Sequence, residues 1–595
     1  MTRRLPPYPA LDWTDDGAPR SRDADDVYFS RAGGLEESRA VFLAGCGLPE
    51  AWAGRRRFAI GELGFGAGLN ALAAWECWRR TRPPGGVLHF VSIEGVPLDR
   101  ADAARALAPF DAVASLAQRL LERWPVRAWG PQRLWFEDDG FALTVIHADV
   151  ADGLAGLSGA FDAWFLDGFS PARNPAMWSA AAMARLAALS APDARAATYS
   201  VAGDVRRALT AAGFTVAKRP GFAGKRERLE ARRTAPAAPA DAPTSVAIVG
   251  AGVAGACAAH AFRRRGVPVT VYDAAGAPGA GASGNTAALV SPRLDRGDTG
   301  AARLHRAAYL AALDLYGALG VLDPVGVWRR GRDDAERAAL QDLAADPPLP
   351  LSHLRAAAEG VLFPNAGVVR PRALLARLLD GVPVRTGAAV EAVAPGQAAC
   401  GGADVVVLAA GAALTMWEAT RWIPLALSRG QLEWAPRHTL DAARERGAYA
   451  APHDGGLVFG ATYDPVGPGE AVAPDDASRA RNLAAVAALA PEMTADAVME
   501  GLVSRASVRA ATADRAPLAG PAPDAARFAA DPDARHPGLW LLGGLGSRGF
   551  TLAPILAECL AARVCGEPPV LDGLAWSAVD PARFLHRARR RGALP

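Results

Sequence analysis

Cysteine is scarce: six residues in 595, at Cys46, Cys77, Cys257, Cys400, Cys559 and Cys565, with no C-x-x-C and no grouping with histidine. That pattern excludes a disulfide framework and a thiolate metal site, and fits free buried thiols of a reducing compartment; no metal is expected. Long apolar runs are missing too. No uncharged stretch approaches the ~18 residues that span a bilayer. The start, MTRRLPPYPALDW, has arginines but no apolar segment behind them. Neither a membrane span nor a secretory signal is expected, and the expected location is the cytoplasm. Charge of one sign is also lacking: the net value of +3 excludes a polycation, although basic residues cluster at 55–57, 218–233, 263–265 and 587–591. With no short-period repeat, a solenoid is excluded.

What is present is a globular balance, 51% hydrophobic and 21% charged, over a length too great for a single core. One break stands out. TAPAAPADAPTS, Thr234 to Ser245, is rich in proline and alanine and has no periodicity, so it reads as a semi-rigid linker. The expected organisation is a first domain over 1–233, a linker over 234–245 and a second domain over 246–595, each domain with its own glycine-rich nucleotide loop.

In the first domain, strands are expected at 57–63, 87–94, 142–147, 163–166 and 196–200, and helices at 68–80, 99–107, 179–189 and 202–212. Such alternation predicts an α/β fold with a parallel sheet covered on both faces. The run FAIGELGFGAGLNALAAW is an apolar strand, an acid (Glu62), the glycines Gly64, Gly66 and Gly68, and a helix. Glycines allow a tight turn and a close ligand approach to the helix N-terminus. The next strand ends in Glu94, placed to bind ribose hydroxyls, and the third ends in HAD, with Asp149 near a base. NAD and S-adenosylmethionine both fit this outline. Glu62 favours S-adenosylmethionine, since an acid there repels a pyrophosphate but suits a sulfonium. The fourth strand runs into DAWFLDGFSPARNPAMW. Asp167 either faces the switch-point crevice or caps the following turn, and the prolines stiffen the loop.

The second domain opens with SVAIVGAGVAGACAAHAFRRRGVPVTVYD. Gly250, Gly252 and Gly255 lie between a strand and a helix, and Asp273 ends the next strand about twenty residues on, as a dinucleotide fingerprint requires. A small-residue loop from Gly279 containing Ser283, a second glycine turn at Gly411, and LLGGLGSRGFT with Gly546, Ser547 and Gly549 favour FAD over NAD. A helix N-terminus at that last loop stabilises negative charge on a reduced ring.

ELGFGAGLN, SIEGVPL, DAWFLDGFSPARNPAMW and GFAGKRERL together resemble the methyltransferase half of the bifunctional enzymes that complete the 5-methylaminomethyl-2-thiouridine modification of tRNA wobble uridines. The resemblance covers most of Pro7 to Ala231. From Val246 to Val564 the chain resembles the glycine-oxidase-like FAD amine oxidoreductases, and GASGN and LGSRG are similar to the oxidase half of the same tRNA enzymes. The implied fold is a Rossmann-like class I methyltransferase domain plus an FAD-binding Rossmann-type domain with an antiparallel substrate-binding subdomain. The implied activity is FAD-dependent removal of a carboxymethyl group from 5-carboxymethylaminomethyl-2-thiouridine. Methylation of the resulting primary amine by S-adenosylmethionine follows.

That resemblance gives the residues roles. A primary alkylamine is mostly protonated near neutrality, and a carboxylate must take up its proton, so Asp167 is the expected base. Phe169 and Trp178 either stack on the flipped base or pack as core. Lys225 and Arg226 either touch phosphate or pair locally. Arg509 and Arg548 are the expected holders of the substrate carboxylate, since guanidinium binds it as a fork. The segment 424–463 matches the family only loosely, and no contacts are expected from it by name. tRNA is the expected partner, with no obligatory protein partner. Two rival readings remain: a small-molecule amine or amino-acid oxidase fused to an unrelated methyltransferase, and a flavin-bearing RNA-binding or redox-sensing protein with one inactive half.

Overall fold

The structure is a computed structural model and describes residues 5–593 apart from 16, 30–32, 224, 235–242, 296, 398–399 and 494–498. The chain forms two compact units. The first holds Met1–Ala242 with Arg264–Gly266 and Ala562–Gly573; the second holds Pro243–Arg263, Val267–Ala561 and Leu574–Pro595. Most of the expected linker, 235–242, lies outside the described residues.

The first unit is built on an eight-stranded sheet. Strands Arg57–Leu63, Val87–Glu94, Phe141–His147, Phe161–Leu166 and Ser190–Thr198 run parallel, close to the expected positions. The sheet is nonetheless mixed rather than parallel. Gly130–Phe136 adds an antiparallel edge beside Phe141–His147. At the other edge the hairpin Phe214–Pro220 and Glu227–Arg233 pairs antiparallel with Ser190–Thr198. Short loops join Gly130–Phe136 to Phe141–His147 and Phe214–Pro220 to Glu227–Arg233, and a short loop makes a hairpin where a parallel crossover needs a helix.

Both faces of this sheet are covered. One core holds Trp52, Trp75, Trp78, Phe90, Phe141 and Phe165; the other holds Leu63, Ile93, Trp164, Met177, Trp178 and Met183. Burying each such side chain contributes roughly 1.5–3 kcal/mol, which is why the strands read as near-continuous apolar runs. Helix Leu69–Thr81 follows Gly68, which takes a left-handed φ of 79°. Arg79 and Arg80 in its last turn suit the helix dipole, and it stops just ahead of Pro83 and Pro84. Helix Arg100–Leu107 is capped by Asp99, whose side chain accepts from the Asp102 N–H.

The second unit contains a six-stranded sheet in the order Val384–Arg385, Val269–Tyr272, Val246–Val249, Val405–Leu408, Arg535–Gly543 and Leu518–Pro523. All neighbours are parallel except the last pair. A nine-stranded, largely antiparallel sheet carries the long strands Leu425–Pro436 and Val503–Thr512, paired over ten residues from Leu425↔Thr512 to Trp434↔Val503. Among the described residues no helix is long and apolar enough to cross a membrane, and no cluster of three or more His, Cys, Asp or Glu could hold a metal.

Candidate active sites

In the first unit, Gly64, Gly66 and Gly68 all adopt positive φ (94°, 52° and 79°), a conformation open to glycine and strained for other residues. Gly64 also has no room: a Cβ there would lie 1.9 Å from the Asp167 carbonyl oxygen. The loop therefore turns tightly against the end of the Asp167 strand. Glu94 closes the loop from the next strand, accepting from the Gly66 N–H at 2.9 Å with Oε2 and from the Val96 N–H at 2.8 Å with Oε1. Asp149 is exposed, across from Gly95, where an added Cβ would lie 3.7 Å from its Oδ1.

Glu62 sits beneath the loop rather than on it. It is 1% exposed, accepting from Ser92 Oγ at 2.6 Å and from Asn70 Nδ2 at 3.0 Å. Burial pushes its proton affinity well up, and the neighbouring Asp167 adds to this. Charge attraction from Glu62 to a bound sulfonium is thus second to its role under the turn.

Asp167 lies at the strand end, its backbone N–H bonded to the Leu63 carbonyl. The side chain keeps some accessible surface, yet protein atoms crowd the carboxylate. Burial raises its pKa to about 7; Asn70 and Lys225 oppose that rise while Glu37 and Asp26 add to it. A carboxylate titrating near neutrality is what a base for an alkylammonium requires.

The loop beyond Asp167 is held from several sides. Tyr199 donates its hydroxyl to the Gly168 carbonyl. Phe169 meets Tyr28 edge to face at 5.3 Å and remains partly exposed. Trp178 resolves to core: it is 5% exposed, and its indole N–H donates to the Phe169 carbonyl at 3.0 Å. It braces the loop from behind and presents no face for a base. Lys225 pairs with Glu37 at 2.8 Å and lies 4.4 Å over the Tyr199 ring, beside Asp167. Arg226 is exposed at the hairpin turn. Asn70, Ser92, Tyr28, Tyr199 and Glu37 escaped the sequence reading; of these Asn70, inside ELGFGAGLN, and Ser92, opening SIEGVPL, lay within motifs that carried the resemblance.

In the second unit the glycine turn is packed as a dinucleotide fingerprint demands. A Cβ on Gly250 would lie 2.5 Å from the Ala409 carbonyl oxygen, and one on Gly255 only 1.8 Å from the Gly250 carbonyl oxygen. Gly255 thus lets the helix Val253–Arg263 press against its own strand. Asp273 Oδ2 accepts from the Ala251 N–H at 2.6 Å and Oδ1 from the Ala275 N–H at 2.8 Å, the same device Glu94 uses in the first unit. Ser283 Oγ accepts from the Val253 N–H at 2.9 Å, and a Cβ on Gly252 would lie 3.1 Å from that hydroxyl. Gly411, with φ 57°, opens the turn Gly411–Thr415 after strand Val405–Leu408.

Gly546, with φ 56°, donates its N–H to the Ala510 carbonyl at 2.8 Å, setting Ser547 just ahead of helix Gly549–Val564. A Cβ on Gly549 would lie 3.3 Å from Val253 Cγ1, so two helix N-termini converge. These open backbone cradles and positive helix ends fit a pyrophosphate-bearing cofactor.

Two arginines expected at the substrate differ in their settings. Arg509 donates to the Thr462 carbonyl at 2.6 Å and lies 4.2 Å over the Tyr463 ring. It crosses the sheet above Gly430, where a Cβ would collide with its guanidinium at 1.4 Å. Arg548 lies 4.0 Å from Glu445, which is bonded more tightly by Arg329 at 2.8 Å and by Ser291 Oγ at 2.9 Å. Burial pushes the Glu445 carboxyl up, but Arg329 and Arg548 outweigh it and hold the group below the usual range. Two guanidiniums against one carboxylate leave an excess positive charge for an anion. Arg505, unforeseen in the sequence, reaches from the same strand as Arg509 to Asn285 Oδ1 at 2.8 Å and to the Ala280 and Gly281 carbonyls. It clamps the small-residue loop that carries Ser283.

The geometry defines a fused pair of units, an S-adenosyl-L-methionine-dependent methyltransferase and an FAD-dependent oxidoreductase. Family models agree: "S-adenosyl-L-methionine-dependent methyltransferase" matches residues 111–234 and "FAD dependent oxidoreductase" matches residues 245–563. The chain belongs to the family of bifunctional proteins named "tRNA 5-methylaminomethyl-2-thiouridine biosynthesis bifunctional protein MnmC". It is 43% identical to the member from Maricaulis maris, with 98% of this chain and 97% of that protein covered. It is 44% identical to the member from Caulobacter sp., with 97% and 98% covered. Among solved structures, glycine oxidase from Geobacillus kaustophilus is similar over 56% of this chain and 97% of its own, at 20% identity and a TM-score of 0.45.

Proposed function

We propose that the two units act in turn on one nitrogen of the tRNA wobble uridine. The FAD-dependent half converts 5-carboxymethylaminomethyl-2-thiouridine to the 5-aminomethyl form, and the S-adenosylmethionine-dependent half methylates the amine to 5-methylaminomethyl-2-thiouridine. Family membership along nearly the whole chain is the observation that carries this reading. The working division is 1–233 for the transferase, 234–245 for the linker and 246–595 for the oxidoreductase. The protein acts in the cytoplasm on tRNA without an obligatory protein partner.

When bound, the flavin supplies the two-electron oxidant and S-adenosylmethionine supplies the methyl group. The chain does the rest. Gly250, Gly252, Gly255 and Asp273, with Ser283, Gly411, Gly546, Ser547 and Gly549, form the FAD cradle. Arg509 and Arg548 hold the substrate carboxylate, so the carbon between it and the nitrogen is oriented for oxidation. Loss of two electrons and two protons across that C–N bond gives an imine. Water splits the imine into glyoxylate and the primary amine.

In the first unit, Gly64, Gly66, Gly68, Glu94 and Asp149 cradle the methyl donor, with Glu62 beneath them. Asp167 takes the proton from the ammonium form, freeing the lone pair that attacks the methyl carbon. Phe169 borders the base, and Lys225 and Arg226 meet the phosphate backbone.

The test is mass spectrometry of nucleosides from tRNA of cells lacking the protein, before and after treatment with purified protein and S-adenosylmethionine. The expected result is accumulation of the carboxymethylaminomethyl nucleoside and its conversion to the methylaminomethyl form. Unchanged wobble uridines would overturn the reading.

A further inference from the structure

One side-chain amide stands between two carboxylates in the first unit. Asn70 is in the opening turn of helix Leu69–Thr81 and is 6% exposed. Its Nδ2 donates to Glu62 Oε1 at 3.0 Å and to Asp167 Oδ2 at 2.6 Å. An amide nitrogen has two protons, so this one is fully used. Glu62 is anchored in turn by Ser92 Oγ at 2.6 Å. A continuous chain of hydrogen bonds thus runs from strand Val87–Glu94 through strand Arg57–Leu63 and the helix to the end of strand Phe161–Leu166. Among the described residues no protein donor reaches Asp167 Oδ1.

We propose that Asn70 is a positioning residue for methyl transfer. It fixes Asp167 through Oδ2, leaves Oδ1 to accept from the substrate amine, and couples the ionisation of Asp167 to that of Glu62. The proposal rests on the reading of Asp167 as the base.

Two crowded carboxylates joined by one donor resist ionising together, and they titrate as a pair. Glu62 is the deeper of the two; burial raises its proton affinity, and its charge when ionised and that of Asp167 oppose one another. The other charged or titratable groups facing Asp167 are Glu37 and Asp26, which oppose its ionisation, Lys225, which favours it, and Tyr199, whose own proton is held more tightly by burial and by Asp167. Among the described residues only Asn70 donates to both carboxylates.

The experiment measures methyl transfer by the full-length protein on tRNA carrying 5-aminomethyl-2-thiouridine, across pH, with S-adenosylmethionine affinity measured alongside. Asn70→Ala removes the donor that stabilises ionised Asp167. Its kcat should fall about 10–100-fold, the acid limb of its pH profile should move to higher pH, and donor affinity should hold within a few-fold. Glu62→Gln keeps an oxygen for Asn70 but removes the competing charge, so its acid limb should move to lower pH. A purely structural role for Asn70 would lower the melting temperature and leave the limb in place. An unmoved limb in folded Asn70→Ala overturns the proposal; if that variant does not fold, an unmoved limb in Glu62→Gln does so. Absence of methylation by the wild-type protein would overturn the functional reading instead.

Discussion

Gly64 and Asp167 touch through their backbones: a Cβ on Gly64 would lie 1.9 Å from the Asp167 carbonyl oxygen. The turn proposed to cradle the methyl donor and the strand end that carries the proposed base are therefore one packed object. On the proposed reading the same contact aligns donor and acceptor, and alignment supplies much of the rate in group transfer between two bound reactants.

Gly64→Ala should separate the two functions of that contact. The new methyl meets backbone rather than a flexible side chain, and φ is 94°, so both loops must shift. Methyl transfer should fall more than about 100-fold, while FAD content and oxidation of the carboxymethylaminomethyl substrate persist. Single-turnover assays of each half-reaction check this.

Asp167→Asn should abolish methyl transfer and let the primary aminomethyl nucleoside accumulate, read by mass spectrometry. It should also stabilise the protein at neutral pH. The folded-state pKa of Asp167, about 7, lies above its ordinary 3.8. The folded chain therefore holds this proton where the unfolded chain has lost it, and stability falls as pH rises from about 4 to 7. Asparagine removes that cost. Thermal melts should show a gain at pH 8 and a smaller gain at pH 5. Wild-type methyl transfer should rise with pH through about 7 as the base ionises.

Gly255→Ala should yield colourless protein. Its Cβ would lie 1.8 Å from the Gly250 carbonyl oxygen, forcing the helix Val253–Arg263 off its strand and opening the pyrophosphate cradle. Visible absorbance of the purified protein measures the loss. Methylation of tRNA that already carries the primary amine should survive.

Gly430→Ala should displace Arg509, the side chain that occupies the space above it. Flavin content should stay near wild type, and KM for the carboxymethylaminomethyl substrate should rise about 10-fold or more. Arg509→Lys, which keeps the charge but loses the fork, should have the same sign. Steady-state kinetics of glyoxylate release distinguishes this outcome from simple loss of the cofactor.

The strands at 57–63 and 87–94 and the helices beside them could be read from the chain because both sheet faces are buried, which leaves unbroken apolar runs ending in an acid. The antiparallel edges were less visible. Gly130–Phe136 opens with glycine, proline, glutamine and arginine although it is almost wholly buried, and Glu227–Arg233 is mostly charged residues, so both resemble loops. Trp178 shows the same limit at the site. Its neighbours in sequence suit a base-stacking loop, but it is buried in a core it shares with Met183 and Leu186 from the next helix.

The sequence by itself determined the two nucleotide loops, the acids ending their second strands, and Asp167 at the mouth of a strand. Each of these is a local pattern in which backbone geometry restricts the residue type. Tertiary structure alone decided that Glu62 lies under its loop, that Asn70 joins it to Asp167, that Arg505 clamps the loop carrying Ser283 and that Arg548 shares Glu445 with Arg329. Those relations join strands and helices far apart in the chain. Hydrogen bonds and charge act over a few ångströms of space, whatever the separation in sequence.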